Sequence, residues 1–517
     1  MKRSEMIARI DEKQLWDVIV VGGGATGVGI ALDAASRGYK TLLLEQGDFG
    51  QGTSSRSTKL VHGGVRYLQQ GNFTLVLEAL KERGVLRRNA PHLVFNLPFV
   101  VPNYDWWEGP FYGIGLKLYD MLAGKEGFGK SVVISRDETL EHIPTIEQDG
   151  LNGGVQYHDG QFDDARLIIN LAQTASEQGA VLINYMPVAA LVKKTDFVKG
   201  VVAHDIESGK EYQLEAKVVI NATGPFSDSV RRMDDASASP MITHSQGVHI
   251  VLDRSFLPGD SAIMVPHTDD GRVLFAIPWH NKILVGTTDT PLQRCDVEPK
   301  PLPEEIEFLL EHTARYLTKD PTRSDVLSMF AGVRPLVTNP NAENTAAISR
   351  EHVVNISKTG LVTIAGGKWT TYRKMAEDTL DQAIAVGGMD YRPCITANVQ
   401  IHGFHKHSEN FGDLAVYGSD AINIQNLAKN QPEWNQRLHP DLEYIKAEVI
   451  WSVRNEMART VTDFLSRRSR ALLLNARASV EMAPIVAELM MKELGRNKKW
   501  KKEQIESYKA LAANYVL

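Results

Sequence analysis

Near its start the chain reads Trp16-Asp17-Val18-Ile19-Val20-Val21-Gly22-Gly23-Gly24-Ala25-Thr26-Gly27, an apolar run that leads directly into glycines. A short apolar run of this kind predicts a buried strand of a parallel sheet. Residues 30–37 predict the helix that follows, with Gly38 as its stop, and residues 41–45 predict a second strand. The sequence therefore predicts a βαβ unit at the start of the chain.

The glycines of this stretch fit the dinucleotide-binding pattern G-x-G-x-x-G. Gly22 allows the tight turn, Gly24 lets a pyrophosphate approach the backbone, and Gly27 permits close packing of helix and strand. Glu45 ends the second strand, where a carboxylate can bind a ribose hydroxyl. The pattern predicts a dinucleotide site, but by itself it does not separate NAD from FAD.

Composition excludes several classes of function. The chain has 517 residues, enough for roughly two to four domains, and its net charge of -6 argues against general nucleic-acid binding. With Cys295 and Cys394 as the only cysteines, a disulfide framework, an iron–sulfur cluster and a four-cysteine zinc site are excluded, which suits a reducing cytosol. Residues 1–14 do not resemble a signal peptide, and no apolar stretch approaches the ~20 residues of a membrane-spanning helix. Any membrane contact is therefore expected to be peripheral.

Five further segments carry a family resemblance. They are residues 52–68, which include HGGVRYL, residues 221–225 (NATGP), 286–289 (GTTD), 330–336 (FAGVRPL) and 365–374 (AGGKWTTYRK). Together they closely resemble FAD-dependent glycerol-3-phosphate dehydrogenase, within the broader class of D-amino-acid-oxidase-like flavoproteins. The resemblance spans nearly the whole chain, although Trp369 stands where we expect a smaller aliphatic residue.

The resemblance implies an α/β fold with three parts. These are an FAD-binding Rossmann-type domain of the D-amino-acid-oxidase-like kind, a mixed-sheet substrate domain and a C-terminal helical cap domain. The expected boundaries are 1–90 for the first FAD-binding part, 91–160 for a substrate or membrane-associated insertion, 161–235 for the second FAD-binding part, 236–350 for the substrate domain, 351–390 for the last FAD-binding strand and helix, and 391–517 for the helical domain.

The glycine pattern and the resemblance together predict the residues that bind FAD. Serine and threonine side chains supply hydrogen-bond donors in the loop that follows the first nucleotide-binding unit. Gly63 and Gly64 have no side chains, so a flat ring could approach the backbone there. A helix that begins after Gly367 could stabilise negative charge on the reduced flavin. The predicted cofactor residues are Gly22, Gly24, Gly27, Glu45, Gln46, Thr53, Ser54, Ser55, Lys59, Leu60, His62, Gly63, Gly64, Val188, Ala222, Gly224, Gly367 and Lys368.

Oxidation of a secondary alcohol by a flavin requires a proton acceptor, a C–H bond aimed at the flavin and an anchor for the rest of the substrate. For glycerol phosphate the anchor must be cationic, and arginine suits phosphate because its planar fork donates two hydrogen bonds. The predicted catalytic residues are His62, His249, Arg334 and Lys368, and the predicted substrate-binding residues are Arg66, Tyr67, Thr288 and Arg350.

Two histidines compete for the role of general base. His62 is the first choice and His249 the second, because a neutral imidazole near pH 7 suits the task. A hydrogen bond to the flavin for His62 and a structural hydrogen bond for His249 remain the alternatives. Residues 402–407 (HGFHKH) lie in a glycine-containing connector without a carboxylate or cysteine partner in place, so a solvated loop is expected there and no metal site is predicted.

The resemblance implies oxidation of sn-glycerol 3-phosphate to dihydroxyacetone phosphate, with FAD as cofactor and membrane quinone as electron acceptor. A glycerophosphate oxidase that reduces oxygen to peroxide is the alternative within the family. More distant alternatives are an amino-acid oxidase of the same fold and a flavin-binding module without catalysis.

The expected location is the cytoplasmic face of the membrane, with no nucleic-acid partner and with a homodimer left open. The best candidate for membrane contact is an aromatic segment flanked by lysines, since tryptophan and tyrosine favour the headgroup region. Its residues are Trp106, Trp107, Phe111, Tyr112, Lys117, Tyr119 and Lys125. A second, weaker candidate is the basic stretch 498–502.

Overall fold

The computed structural model describes residues 1–64, 72–105, 108–266, 268, 272–338 and 351–517. The predicted βαβ unit forms the centre of its first sheet. β1 (Trp16–Val21) pairs in parallel with β2 (Thr41–Leu44) on one side and with β10 (Glu211–Asn221) on the other. Every residue of β1 except Asp17 is buried, which accounts for the continuous apolar run.

In the described residues this first sheet has the strand order β17–β18–β10–β1–β2–β7, with β9 and then β8 continuing from β10. Its central strands are parallel, whereas β17 and β9 pair antiparallel with β18 and β10. The remaining bounds are β7 (Val181–Ile183), β8 (Val188–Lys194), β9 (Phe197–His204), β17 (His352–Ile356) and β18 (Val362–Gly366).

The second sheet is mixed and mostly antiparallel, with the order β15–β11–β14–β13–β12–β4–β6–β3 in the described residues, β16 beside β11 and β5 beside β6. β4 and β12 are its parallel pair. The bounds are β3 (Leu60–Val61), β4 (Val94–Asn103), β5 (Val132–Ser135), β6 (Gly153–Phe162), β11 (Ile242–Asp253), β12 (Ala262–Val265), β13 (Leu274–Trp279), β14 (Lys282–Gly286), β15 (Thr290–Leu292) and β16 (Ser328–Val337).

Helices cover both sheets and form the C-terminal part, so the predicted fold class is confirmed. The bounds are α1 (Arg3–Asp11), α2 (Ala25–Ser36), α3 (Phe73–Asn89), α4 (Glu108–Ala123), α5 (Arg136–His142), α6 (Asp164–Glu177), α7 (Ser227–Asp234), α8 (Pro303–Ala314), α9 (Tyr372–Val386), α10 (Ala421–Asn430), α11 (Lys446–Asn455), α12 (Val461–Asp463), α13 (Ala471–Leu474), α14 (Ala476–Glu493) and α15 (Lys498–Ala512). A small hairpin of β19 (Arg437–His439) and β20 (Leu442–Ile445) joins the C-terminal helices.

Two helices differ from the sequence prediction. α2 begins at Ala25, five residues earlier than predicted, because Gly24 is its N-cap and the glycine pattern belongs to its first turn. α4 was not predicted at all, since Gly109, Gly113 and Gly115 have poor helix propensity. Close packing nevertheless explains why residue 113 is a glycine, because a Cβ there would lie 3.0 Å from Val133 Cγ2 of β5.

None of the helices in the described part of the chain is long and apolar enough to cross a membrane.

Candidate active site

A cavity of about 250 Å³ opens at the carboxyl ends of the parallel strands of the first sheet, where sheets of this kind bind nucleotides. Eleven of the predicted cofactor residues line it. They are Gly22, Gly24, Glu45, Gln46, Thr53, Ser54, Val188, Ala222, Gly224, Gly367 and Lys368.

The turn from β1 into α2 brings bare backbone to this cavity. Gly22 has φ +110°, and a Cβ there would lie 2.6 Å from the carbonyl oxygen of Ala222. A Cβ on Gly27 would lie only 1.9 Å from the carbonyl oxygen of Gly22, so helix and strand pack too closely for any side chain. The N-cap Gly24 carries no side chain, and the Ser54 hydroxyl accepts from Ala25 N of the first turn at 3.0 Å. This helix end therefore fits a pyrophosphate, which its N–H groups and dipole would favour.

Glu45 lies beside that turn at the end of β2. Its carboxylate accepts hydrogen bonds from Gly23 N (2.6 Å) and Gly47 N (2.8 Å), which fix its orientation toward the cavity. Burial raises the pKa of Glu45, against the lowering effect of those two bonds. A carboxylate with free lone pairs at this position fits the hydroxyls of a nucleotide ribose.

The far wall of the cavity is the turn from β18 into α9. Gly366 and Gly367 both have positive φ (+75° and +79°), which only glycine adopts at little cost, and they turn the chain into the short helix Trp369–Thr371. Trp369 Nε1 donates to the carbonyl oxygen of Ser54 at 2.8 Å, and its ring meets that of Phe162 edge to face. The unexpected tryptophan thus ties this turn to the loop that follows β2.

A second cavity of about 720 Å³ shares this wall, since Thr53, Gly367, Lys368 and Trp369 line both. Its lining divides into a polar set of residues, called the polar end, and an apolar set, called the apolar arm. The polar residues include Arg56, Thr58, His62, Asp159, His249, Arg272, Thr287, Thr288, Asp289, Arg334 and Lys368. The apolar arm includes Phe99, Phe111, Tyr112, Ile114, Leu116, Leu118, Tyr157, Met264, Pro266, Val273 and Phe275.

Arg334 projects from β16 into the polar end. Its guanidinium donates to the carbonyl oxygen of Thr288 (3.2 Å) and to Thr287 Oγ1 (3.2 Å), and it lies 3.6 Å from Asp289. The side chain of Arg334 keeps 26% of its surface exposed, so the oriented cation still faces the cavity. Thr288 is nearly buried, and its hydroxyl donates to Glu305 (2.8 Å) while accepting from Val248 N (2.9 Å).

The two histidines at the polar end have different surroundings. His249 Nε2 lies 2.9 Å from Thr58 Oγ1, and its ring stacks on Phe330 at a centroid distance of 4.9 Å. Burial, with the charges of Lys59 and Arg334 adding to it, holds the pKa of His249 well below its usual value. Burial also lowers the pKa of His62, but there the Asp159 carboxylate acts in the opposite direction.

Several predicted cofactor residues lie outside the first cavity. Lys59 is fully buried, and its ammonium donates to Asp164 Oδ2 (2.7 Å) and to the carbonyl oxygen of Ser55 (3.0 Å). Burial outweighs the attraction of Asp164 and lowers the pKa of Lys59 to about 8. Leu60 and Gly64 line the second cavity instead, and the amide of Gly63 is bonded elsewhere.

Five predicted residues, Arg66, Tyr67, Trp106, Trp107 and Arg350, lie outside the described residues.

Sequence reasoning missed other residues of the second cavity. Arg56 had a signal, because it lies inside the segment that carried the resemblance, and it pairs with Glu298 at 2.5 Å. No sequence signal identified Asp159 or Arg272. Each is a single charged residue in an ordinary strand or turn, and only the tertiary fold brings it to the cavity.

The expectation of a solvated loop at residues 402–407 is wrong for His402. Its ring lies between Glu177 (2.5 Å) and Asp420 (2.8 Å), and 22% of its side chain is exposed. The carboxylates come from distant segments, which the local sequence could not show. Within the described residues no group of three or more histidine, cysteine, aspartate or glutamate side chains could hold a metal ion.

Comparison with known proteins identifies the scaffold. Residues 17–373 match the family model described as FAD dependent oxidoreductase, and residues 357–504 match the C-terminal domain of alpha-glycerophosphate oxidase. The chain is 44% identical to the mitochondrial glycerol-3-phosphate dehydrogenase of Macaca fascicularis, over 98% of this chain and 74% of that protein. It is 38% identical to the Schizosaccharomyces pombe enzyme of the same name, over 95% and 86% of the two chains.

Solved structures of similar proteins lead to the same family. A crystal structure of the glycerol-3-phosphate dehydrogenase from Bacillus halodurans in complex with FAD superposes with a TM-score of 0.82 at 30% identity, covering 100% of this chain and 98% of that one. An FAD-bound glycerophosphate oxidase from Mycoplasma pneumoniae shares the fold at a TM-score of 0.57, with 16% identity over 74% and 98% of the two chains. The predicted cofactor, FAD, is thereby confirmed.

Proposed function

The chain belongs to the family of FAD-dependent glycerol-3-phosphate dehydrogenases, and on that premise we propose that it oxidises sn-glycerol 3-phosphate to dihydroxyacetone phosphate and passes the electrons to a membrane quinone. The observation that carries this proposal is the shared wall of the two cavities. It puts the polar end of the second cavity, with its histidines and cations, directly against the first cavity.

The residues of the polar end match what the reaction requires. The C2–H bond breaks with loss of a hydride, the C2 hydroxyl loses its proton, and the carbonyl bond of the product forms. Bound FAD supplies the two-electron acceptor for this hydride. Arg334 and Lys368 supply positive charge for the phosphate and for the oxygen that loses its proton.

His62 is better placed than His249 to accept that proton. One nitrogen of His249 is already bonded to Thr58, and Arg334 and Lys59 oppose a positive charge on the ring. A proton on an imidazole nitrogen of His62 would be stabilised by the Asp159 carboxylate, although Lys368 and Arg83 oppose it, whereas both charges that act on His249 are positive. Because its pKa lies below the ordinary value of about 6.5, His62 is neutral and able to act as a base at pH 7.

The apolar arm supports a lipophilic electron acceptor. The second cavity as a whole, at about 720 Å³, is larger than a three-carbon phosphate needs, and its apolar lining includes residues of α4. Phe111, Ile114 and Leu118 of α4 line the arm, and 52%, 71% and 37% of their surfaces are accessible. A quinone ring dissolved in lipid could thus reach the arm directly if this face of α4 lies on the membrane.

The outer face of α4 has the pattern of a helix that lies in a membrane interface. Met121 continues its exposed apolar row with 78% of its surface accessible, and the neighbouring Val132 and Val133 of β5 are exposed by 44% and 57%. Lys117 and Lys125 are exposed beside this row and can meet anionic lipid. We therefore propose the exposed face of α4 as the membrane contact. The prediction is wrong for Tyr112 and Tyr119, which are 5% and 1% exposed and pack into the protein instead of facing lipid.

Two measurements test the proposal. Anaerobic addition of glycerol 3-phosphate to the holoenzyme should bleach the visible flavin band, whereas glycine or proline should not. The reduced enzyme should then be reoxidised faster by a short-chain quinone than by air-saturated buffer. Rapid reoxidation in air with stoichiometric peroxide would instead favour a glycerophosphate oxidase, and absence of bleaching would exclude both.

A further inference from the structure

A buried polar network lies behind the loop that carries His62. The backbone N–H of Gly63 donates to the Tyr119 hydroxyl at 2.7 Å. Tyr119 belongs to the inner face of α4 and is 1% exposed, and its hydroxyl donates in turn to Asp159 Oδ2 at 2.7 Å. The hydroxyl is therefore acceptor and donor at once, and it links the loop to a buried carboxylate.

Arg83 of α3 completes the network. Its Nη1 donates to Asp159 Oδ1 at 2.6 Å, and its guanidinium lies over the ring of Phe128 at 4.4 Å. Arg83 and Asp159 are 1% and 2% exposed, so both charges are paired inside the protein. Breaking such a pair is costly, because it leaves the other charge buried without compensation.

The loop is held from two sides. On the inner side a Cβ on Gly63 would lie 2.5 Å from the Tyr119 oxygen and 2.6 Å from Leu80 Cδ2, so the backbone packs directly on α3 and α4. On the outer side the backbone N–H of His62 donates to Thr370 Oγ1 at 3.2 Å. The position of His62 thus depends on two hydroxyls from distant segments.

We propose that Tyr119 and Asp159 are positioning residues, which hold the Gly63 amide and thereby keep the His62 imidazole in reach of the reacting alcohol. This inference rests on the proposed function, in which His62 accepts the proton. Without the phenol oxygen a buried amide loses its acceptor and the loop can shift, and a displacement of about 1 Å near the reacting atoms can cost on the order of 100-fold in rate.

Asp159 also contributes charge. The charged groups that face His62 are Asp159, which favours the protonated imidazole, and Lys368 and Arg83, which disfavour it. Replacement of Asp159 by asparagine removes the stabilising charge and leaves both cations. The pKa of His62 should then fall further.

The first test compares two tyrosines. Tyr417→Phe is the matched control for Tyr119→Phe, because Tyr417 is also 1% exposed, donates to a buried carboxylate (Glu448, 2.9 Å) and has an arginine over its ring (Arg166, 4.2 Å). In anaerobic stopped flow with saturating glycerol 3-phosphate, Y119F should reduce its flavin about 10- to 100-fold more slowly than wild type. Its FAD content and its dissociation constant for substrate should stay within about twofold, and Y417F should match wild type.

Equal flavin reduction rates in Y119F and Y417F would overturn the proposal. If Y119F does not retain FAD, Asp159→Asn decides instead. The acid limb of the pH profile for flavin reduction should move to lower pH in D159N and stay in place in Y417F, a change that a loss of stability alone would not produce. An unmoved limb in D159N would overturn the proposal, whereas wild-type enzyme that glycerol 3-phosphate fails to reduce would overturn the proposed function itself.

Discussion

At the scale of single residues, the surroundings decide which of two buried histidines can act as a base. Both imidazoles border the same cavity and burial lowers both pKa values, so burial does not separate them. The neighbouring charges do. Lys59 and Arg334 both oppose a proton on His249, whereas Asp159 favours a proton on His62 and Lys368 and Arg83 oppose it. The presence of a carboxylate among the neighbouring charges is thus more informative here than burial itself.

His62→Asn should retain FAD and slow flavin reduction by about 10²- to 10⁴-fold, the usual contribution of a general base. In wild type the rate should be independent of pH above pH 7, and the midpoint of its acid limb should lie below the ordinary imidazole value of about 6.5, because burial lowers the pKa of His62. Anaerobic stopped flow across this pH range measures both effects. Loss of FAD from H62N with normal reduction of the residual holoenzyme would assign His62 to cofactor binding.

Arg334→Ala should damage turnover far more than folding. The guanidinium is oriented by two threonines and faces the cavity, so its loss removes a charge-assisted bond to substrate worth about 1.5–3 kcal/mol, or roughly 10- to 150-fold in kcat/KM. Arg323→Ala is a suitable control, because Arg323 is an exposed partner of Glu307 at the surface. Steady-state kinetics of R334A within twofold of wild type would remove Arg334 from the site.

The local geometry of Gly22, Gly27 and Glu45 could be predicted from the sequence, because all three lie in one βαβ unit and their spacing along the chain determines it. The network behind His62 could not be predicted, because Tyr119 contacts Gly63, and Asp159 contacts Tyr119, only through tertiary packing.

At the scale of elements, α4 shows why composition alone misled. An amphipathic helix is usually recognised by one polar and one apolar face, but α4 is apolar on both. Its inner face packs Tyr112, Leu116 and Tyr119 into the protein, and its outer face exposes Phe111 and Ile114. The sequence therefore showed an aromatic, glycine-rich stretch with no helical pattern.

The double variant Ile114→Glu/Met121→Glu tests that role of α4. Two carboxylates on the outer face should abolish most co-sedimentation with anionic liposomes, since each opposes both apolar burial and the attraction to anionic lipid. Quinone reduction should fall at least about tenfold while reduction of a soluble dye is spared. Ile422→Glu is the control, because Ile422 is 49% exposed on the C-terminal helix α10. Unchanged sedimentation of the double variant at low and high salt would show that α4 is not the anchor.

At the scale of the whole molecule, the C-terminal part contacts the cofactor domain through buried ion pairs. Arg467 Nε donates to Asp48 Oδ2 at 2.5 Å, and Arg468 Nη2 donates to Asp48 Oδ1 at 3.0 Å. Burial alone would raise the pKa of Asp48, but the two arginines outweigh it and hold the pKa below its usual value. Asp48 lies three residues beyond Glu45, so the C-terminal part supports the loop that fixes the proposed ribose carboxylate. Local sequence patterns do not identify partners that are about 420 residues apart.

His402 provides a second junction of this kind, with a measurable dependence on pH. Burial would lower its pKa, but the hydrogen bonds to Asp420 and Glu177 outweigh this and raise the pKa to about 9. Because the folded pKa lies above the unfolded value of about 6.5, the stabilisation is complete below pH 6.5 and is lost as the pH rises through 9.

Wild type should therefore exceed His402→Gln in unfolding free energy by on the order of 2 kcal/mol at pH 6, and the gap should close toward pH 10. Urea unfolding followed by flavin fluorescence measures it. His407→Gln, at an exposed histidine beside Glu409, should show no such gap. A gap for H402Q that is equal at both pH values would mean that packing, not charge, holds this junction.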